Sequence, residues 1–160
     1  MSIHDLHGKF NGKEAEYVLD YLDSEASENK KSWVQCFEER VSEETGVKYA
    51  VACNSGTSGL HMAMHACGIG PGDEVITPAL TVVMDAYAVI HMGAIPVFVD
   101  VDRSTYCISV QEIQKNITDK TKAIVTVSLQ GLSVDMDPIL ELAKEKGIIV
   151  IDDSAQNILG

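Results

Sequence analysis

Basic residues are scarce in this chain. Its 160 residues carry 12 Lys and Arg against 24 Asp and Glu, a formal net charge of −12. A field of that sign repels nucleic-acid backbones and anionic membrane surfaces, and no Lys/Arg cluster reverses it locally. The Lys30–Lys31 pair reads as part of a solvated loop, and His4 and His7 as part of a mobile terminus. Also missing is any apolar run near the ~18 residues of a membrane span, and the first residues lack a signal-peptide core. The four cysteines, Cys36, Cys53, Cys67 and Cys107, never form C-x-x-C. Two of them sit in apolar runs, so the expectation is buried free thiols in a reducing compartment, and hence a cytoplasmic protein. Asn116-Ile117-Thr118 matches a glycosylation sequon, which means nothing without secretion. Internal repeats, heptads and low-complexity tracts are absent as well.

Two familiar ligand signatures fail in context. His61 and His65 stand four apart, as zinc ligands can, but Met62 occupies the position where a zinc protease needs its glutamate. Packing or a solvated helix face accounts for them, and no metal site is expected. Gly68-x-Gly70-x-Gly72 follows a helical pattern where a dinucleotide fingerprint would follow a strand. Asp100 and Asp102 could form a carboxylate pair, and alternation at a strand end explains them equally well. Met62, Met64, Met84 and Met92 are expected as core filler on helices.

What is present is the pattern of an α/β domain. At 46% hydrophobic and 22% charged residues, the composition is ordinary for a globular chain. Apolar, β-branched runs at 49–53, 74–77, 94–99, 122–127 and 148–152 predict five strands. Helical patterns lie between them near 57–67, 81–92, 109–116 and 137–146. Strands and helices alternating at this interval predict βαβ units, and so a mostly parallel sheet with helices on both faces. Ahead of them come two acidic helices, at 13–24 and 33–45. Ser32 with Gln35 and Ser109 with Glu112 have capping-box spacing, Asp137-Pro138 reads as N-cap and first helical residue, and Gly46 as a helix stop. Residues 1–46 form an N-terminal helical segment and 47–160 the sheet domain. The chain stops just after its last strand, so it reads as the truncated front part of a longer protein.

The most informative stretch is Cys53-Asn54-Ser55-Gly56-Thr57-Ser58-Gly59-Leu60, where an apolar run gives way to small polar residues that open a helix. Several backbone N–H groups, a helix N-terminus and two hydroxyls then point one way, which suits a phosphate. The same residues also make ordinary helix caps. About 95 residues later, Ile148-Ile149-Val150-Ile151-Asp152-Asp153 ends another apolar run in carboxylates. Ligands in open α/β sheets sit outside the carboxyl ends of the strands, so both segments are expected on one rim.

These segments resemble the sugar-modifying aminotransferases of the DegT/StrS type, a fold-type I pyridoxal phosphate family. The matching text covers nearly the whole chain. It includes Phe37-Glu38-Glu39, Ser55-Gly56-Thr57-Ser58-Gly59-Leu60 and Gly70-Pro71-Gly72-Asp73-Glu74-Val75. Further matches are Thr77-Pro78 with Thr81, the run Gly93-Ala94-Ile95-Pro96-Val97-Phe98-Val99-Asp100, Asp135-Met136-Asp137 and Asp153-Ser154-Ala155-Gln156.

The resemblance implies a partial fold-type I large domain at 47–160 and a set of roles. Ser55, Gly56 and Thr57 would hold the phosphate of pyridoxal 5'-phosphate. Asp153 would pair with its pyridinium nitrogen, keeping the ring an electron sink. Gln156, one helical turn on, would lie near the phenolic oxygen. Val82 stands where the family usually stacks an aromatic, and Ser128-Leu129-Gln130-Gly131 replaces its His-x-Tyr-Gly segment. The Schiff-base lysine of the family falls beyond residue 160, and none of Lys120, Lys122, Lys144 or Lys146 matches it. The implied activity of the parent is transfer of an amino group, with glutamate as donor, to a keto-sugar nucleotide by a homodimer. A sugar dehydratase of the same family, with histidine for the lysine, and a non-catalytic binding domain on the inherited fold are the alternatives.

Overall fold

The computed structural model describes residues 13–25 and 32–157, so Lys30–Lys31, His4 and His7 lie outside the described residues. The chain divides into two compact units, Met1–Ala52 and Cys53–Gly160. The first contains α1 (Glu14–Glu25) and α2 (Trp33–Thr45). Ser32 caps α2 as its spacing predicts. Its Oγ accepts from the Gln35 amide at 3.2 Å, and the Gln35 side chain accepts from the Ser32 amide at 3.1 Å. Gly46 ends the helix with φ at 73°, a conformation that costs glycine nothing.

The five-strand expectation fails at its first member. Residues 49–53 form no strand. A strand exists only by pairing, and the Ala52 amide is instead taken by the Glu38 carboxylate at 2.8 Å. Tyr49 and Val51 consequently stay exposed.

The second unit contains α3 (Gly56–Ala66), β1 (Glu74–Pro78), α4 (Met84–His91), β2 (Ile95–Val99), α5 (Val110–Asn116), β3 (Thr121–Val127), α6 (Met136–Lys146) and β4 (Ile149–Asp153). All strand pairings are parallel, in the order β2-β1-β3-β4. Successive side chains leave a strand on opposite faces, so every buried strand feeds two cores. Val75, Ala123, Val125 and Ile151 meet Met64 of α3 and Ala88 and Val89 of α4 on one face. Ile76, Val99 and Ile124 meet Ile113 of α5 and Ile139 and Leu142 of α6 on the other. The sheet is therefore covered on both sides, as the near-continuous apolar strands require.

Three local expectations need correction. Helix α6 starts at Met136 with Asp135 as its N-cap, two residues before the expected cap at Asp137. Pro138 then sits inside the first turn, where its missing N–H has no intrahelical partner to lose. Only half of the second capping box forms, because Ser109 Oγ accepts from the Glu112 amide while the Glu112 carboxylate pairs with Lys115 at 2.6 Å. Of the four free thiols, Cys107 alone is buried, Cys67 is half-buried, and Cys36 and Cys53 are exposed. Met62 likewise faces out from α3, while Met64 is core.

Gly93 closes the turn after α4 at φ 73°, and a Cβ there would come within 3.1 Å of Pro71 Cγ. Gly93→Ala is therefore expected to lower stability by about 1–2 kcal/mol, read as a shifted denaturation midpoint.

Candidate active site

Connectivity orients the helices. The C-terminus of α3 leads through the turn at 67–73 into the start of β1, so α3 runs back along the sheet. Its N-terminus therefore lies at the rim formed by the carboxyl ends of the strands. Helix α4 leaves the end of β1 and feeds the start of β2, so its N-terminus lies at that same rim. Strand β4 ends there too, at Asp152 and Asp153. The rim thus gathers the residues that the motifs singled out, although Ser55 is not preceded by a strand.

At the head of α3 the amides divide cleanly. Ser55 is the N-cap, its Oγ accepting from the Ser58 amide at 3.1 Å, and the Gly59 amide goes to the Ser55 carbonyl at 3.0 Å. The Ser55 hydroxyl thus serves the helix itself. The first amides of any helix lack intrahelical partners, and among the described residues those of Gly56 and Thr57 are the ones left over here. Gly56 has no neighbouring atom within 4 Å of where a Cβ would stand, so its backbone is open to approach. Two free N–H groups, the Thr57 hydroxyl and the positive end of the helix fit a phosphate dianion.

Asp153 supplies the opposite chemistry. It ends β4 half-buried, and its Oδ1 accepts from the Ala155 amide at 2.9 Å in a tight turn. Residues Ser154–Asn157 make that turn, closed by the Asn157 amide on the Ser154 carbonyl at 2.9 Å. Gln156 is therefore on a turn rather than one helical turn along. Its Oε1 accepts from the Gln130 amide at 2.5 Å, which ties the β4 end to the 3-10 turn Leu129–Gly131. Gln130 adopts φ of 56° there, beside Gly131 at 84°. Val82 is exposed just ahead of α4 and presents an apolar surface at the rim. Asp152 points elsewhere, bonded to Thr126 and Ser154.

One carboxyl was not anticipated from sequence. Asp85, in the first turn of α4, is fully buried. Its Oδ2 accepts from Thr81 Oγ1 at 2.5 Å, while Oδ1 has no donor among the described residues. Burial is the main cause that pushes its pKa from 3.8 up to about 6; the Thr81 bond works the other way, and the nearby Asp153 adds to the rise through charge and hydrogen bonding. The available signal was a lone acid in the otherwise uncharged run Val82–Met92, four residues after a threonine.

The remaining candidates fall away from the rim. His61 meets the ring of His91 edge-on at 5.9 Å, and His91 stacks on Tyr87 at 6.5 Å. Asp102 accepts from the Ser104 amide at 2.7 Å in a surface turn and is held below the usual carboxylate range chiefly by Ser104.

Comparison with known proteins meets this geometry. A model of the DegT/DnrJ/EryC1/StrS aminotransferase family matches residues 9–159. GDP-perosamine synthase of Caulobacter vibrioides is 43% identical over 150 residues, 94% of this chain and 40% of that protein. The aminotransferase of Psychrobacter cryohalolentis superposes with a TM-score of 0.87 at 39% identity, over 93% of this chain and 38% of its own. NtdA of Bacillus subtilis, solved with bound cofactor PMP, gives 0.84 at 32% identity, over 93% of this chain and 35% of its own. This chain thus spans about 40% of the length of the curated relative.

Proposed function

Because this chain belongs to the DegT/DnrJ/EryC1/StrS aminotransferase family, we propose that it is the cofactor-holding part of a pyridoxal phosphate-dependent aminotransferase. The parent protein moves an amino group, with glutamate as donor, onto a keto-sugar nucleotide. The observation that carries this reading is the shared rim: free amides at the head of α3 and a carboxylate at the end of β4 match the two charged poles of the cofactor. When bound, the cofactor supplies a pyridine ring able to take up electrons from a neighbouring carbon.

The residues of the chain do the holding. Gly56 and Thr57 bind the phosphate through backbone N–H and hydroxyl, with Ser55 stiffening that turn. Asp153 would pair with the ring nitrogen and favour its protonated form. Val82 would give the ring an apolar contact, and Gln156 would stand toward the phenolic oxygen. All five lysines of the second unit sit on or next to elements that lead into the amino ends of strands, the rim opposite the site. This chain by itself is therefore expected to bind cofactor without glutamate-dependent turnover. The apolar face of α4, where Val83, Tyr87 and Ile90 are exposed, supports a homodimer as the working form. Unpaired thiols, including the buried Cys107, support a cytoplasmic setting.

The test separates the two poles in the full-length protein. Thr57→Val removes a hydrogen bond to a charged group, so cofactor affinity should fall about tenfold or more while the saturated rate changes little. Asp153→Asn keeps shape and removes charge, so turnover should fall steeply with affinity largely kept. Two mere helix-end residues would lose stability alike and show no such split. Equal effects on affinity and saturated rate in both variants overturn the reading.

A further inference from the structure

Asp85 has a geometry that a purely structural side chain does not need. Its carboxyl is fully buried at the head of α4, with one oxygen held by Thr81 and the other without a donor. A carboxylate in that position is costly, because an unpaired buried charge lacks the hydrogen bonds that water would give it. The Asp153 carboxyl, at the end of β4 on the same rim, acts on Asp85 through both charge and hydrogen bonding. Two ionised carboxylates only accept, so they can be bonded to each other only with a proton between them. The ordinary helix explanation also falls short: Asp85 is in the first turn, but its Oδ2 accepts from Thr81 and its Oδ1 has no donor among the described residues.

We propose that Asp85 is a positioning residue for Asp153: protonated on Oδ1 and held by Thr81 on Oδ2, it donates a hydrogen bond to the Asp153 carboxylate and steers it toward the ring nitrogen of the bound cofactor. Thr81 donates to Oδ2, which makes that oxygen the carbonyl end of the acid and leaves the proton on Oδ1. Asp153 then accepts from the Ala155 amide and from Asp85 and keeps lone pairs for the ring. The pair carries one net negative charge, which balances one protonated ring nitrogen. Asp153 is a titratable group that acts on Asp85 through charge. The histidines of α3 and α4 are tied up elsewhere or exposed, His61 with His91 and His65 at the surface. The steering role rests on the cofactor reading above; the shared proton does not.

Two measurements on the 160-residue chain test the two parts separately. In the first, the aspartate carboxyl carbons are labelled and titrated by NMR without cofactor. The Asp85 signal should titrate near pH 6. Asp153→Asn should lower the Asp85 midpoint. An Asp85 midpoint that ignores this substitution overturns the proposal. In the second, pyridoxamine phosphate binding is followed from pH 5 to pH 8. Affinity in the wild type should weaken as Asp85 ionises, relative to Asp85→Asn, whose amide donates to Asp153 at every pH. Asp85→Leu fills the space without a donor and should bind about tenfold more weakly throughout. Should the Leu variant fail to fold, the wild-type and Asn profiles still decide, because a difference between them that does not change with pH overturns the steering role. If even the wild type binds no pyridoxamine phosphate at any pH, the cofactor reading falls and the steering role with it, while the NMR titration still decides whether the proton is shared.

Discussion

Ile124→Ala is expected to lower the stability of the second unit by about 4 kcal/mol. Ile124 is the middle of β3, which pairs with β1 on one side and β4 on the other. Its side chain is 0% exposed and packs with Ile76, Ile113 and Ile139 under α5 and α6. Removing three carbons there loses their transfer free energy and leaves a cavity that the flanking strands are too constrained to close. Phe98 provides the contrast. It is larger, but it stands on the edge strand β2 and is 56% exposed, so Phe98→Ala should cost about 1 kcal/mol or less. Denaturant unfolding of both variants measures the difference. A larger loss at Phe98 than at Ile124 would mean that the core is not where the sheet order puts it.

Asp85→Asn is expected to stabilise the protein above pH 6, and its advantage should vanish in acid. The folded-state pKa of Asp85 is raised from 3.8 to about 6, so between those values the folded chain holds a proton that the unfolded chain has released. The contribution of that neutral carboxyl is fully present below pH 4 and is lost as pH rises through 6. Above pH 6 the cost levels off, at about 3 kcal/mol from the size of the shift. Asparagine never ionises, can still accept from Thr81, and can donate to Asp153. Comparing the two proteins at each pH cancels the titration of the many other carboxylates. The gap should be near zero at pH 3.5, should grow between pH 4 and 6, and should stay flat to pH 8. A gap independent of pH would show that folding does not raise the pKa of Asp85.

The same residue marks the limit of what the amino-acid order reveals. The alternation of strands and helices was legible because burial on both sheet faces leaves long β-branched runs, and four of the five expected strands form within a residue or two of their predicted bounds. The helix stops and the cap at Ser32 were legible for a local reason: each depends on a few neighbouring residues. The absence of a strand at 49–53 was not, since an apolar run records the capacity to pair and cannot say whether a partner edge is present. The rim position of Ser55, Gly56 and Thr57 was expected from a strand at 49–53 that does not form, and α3 leading into β1 puts them there instead; that of Asp153 followed from βαβ connectivity, a rule about chain direction that needs no coordinates. Asp85 needed them. As a letter it is an acid near a helix start, where acids are common and solvated. Only the packing of α4 against the sheet removes its water, and only the end of β4, 68 residues later in sequence, brings a second carboxyl to it. Burial and charge proximity are sums over neighbours distant in the chain, so the ionisation of this site was decided by the tertiary structure alone.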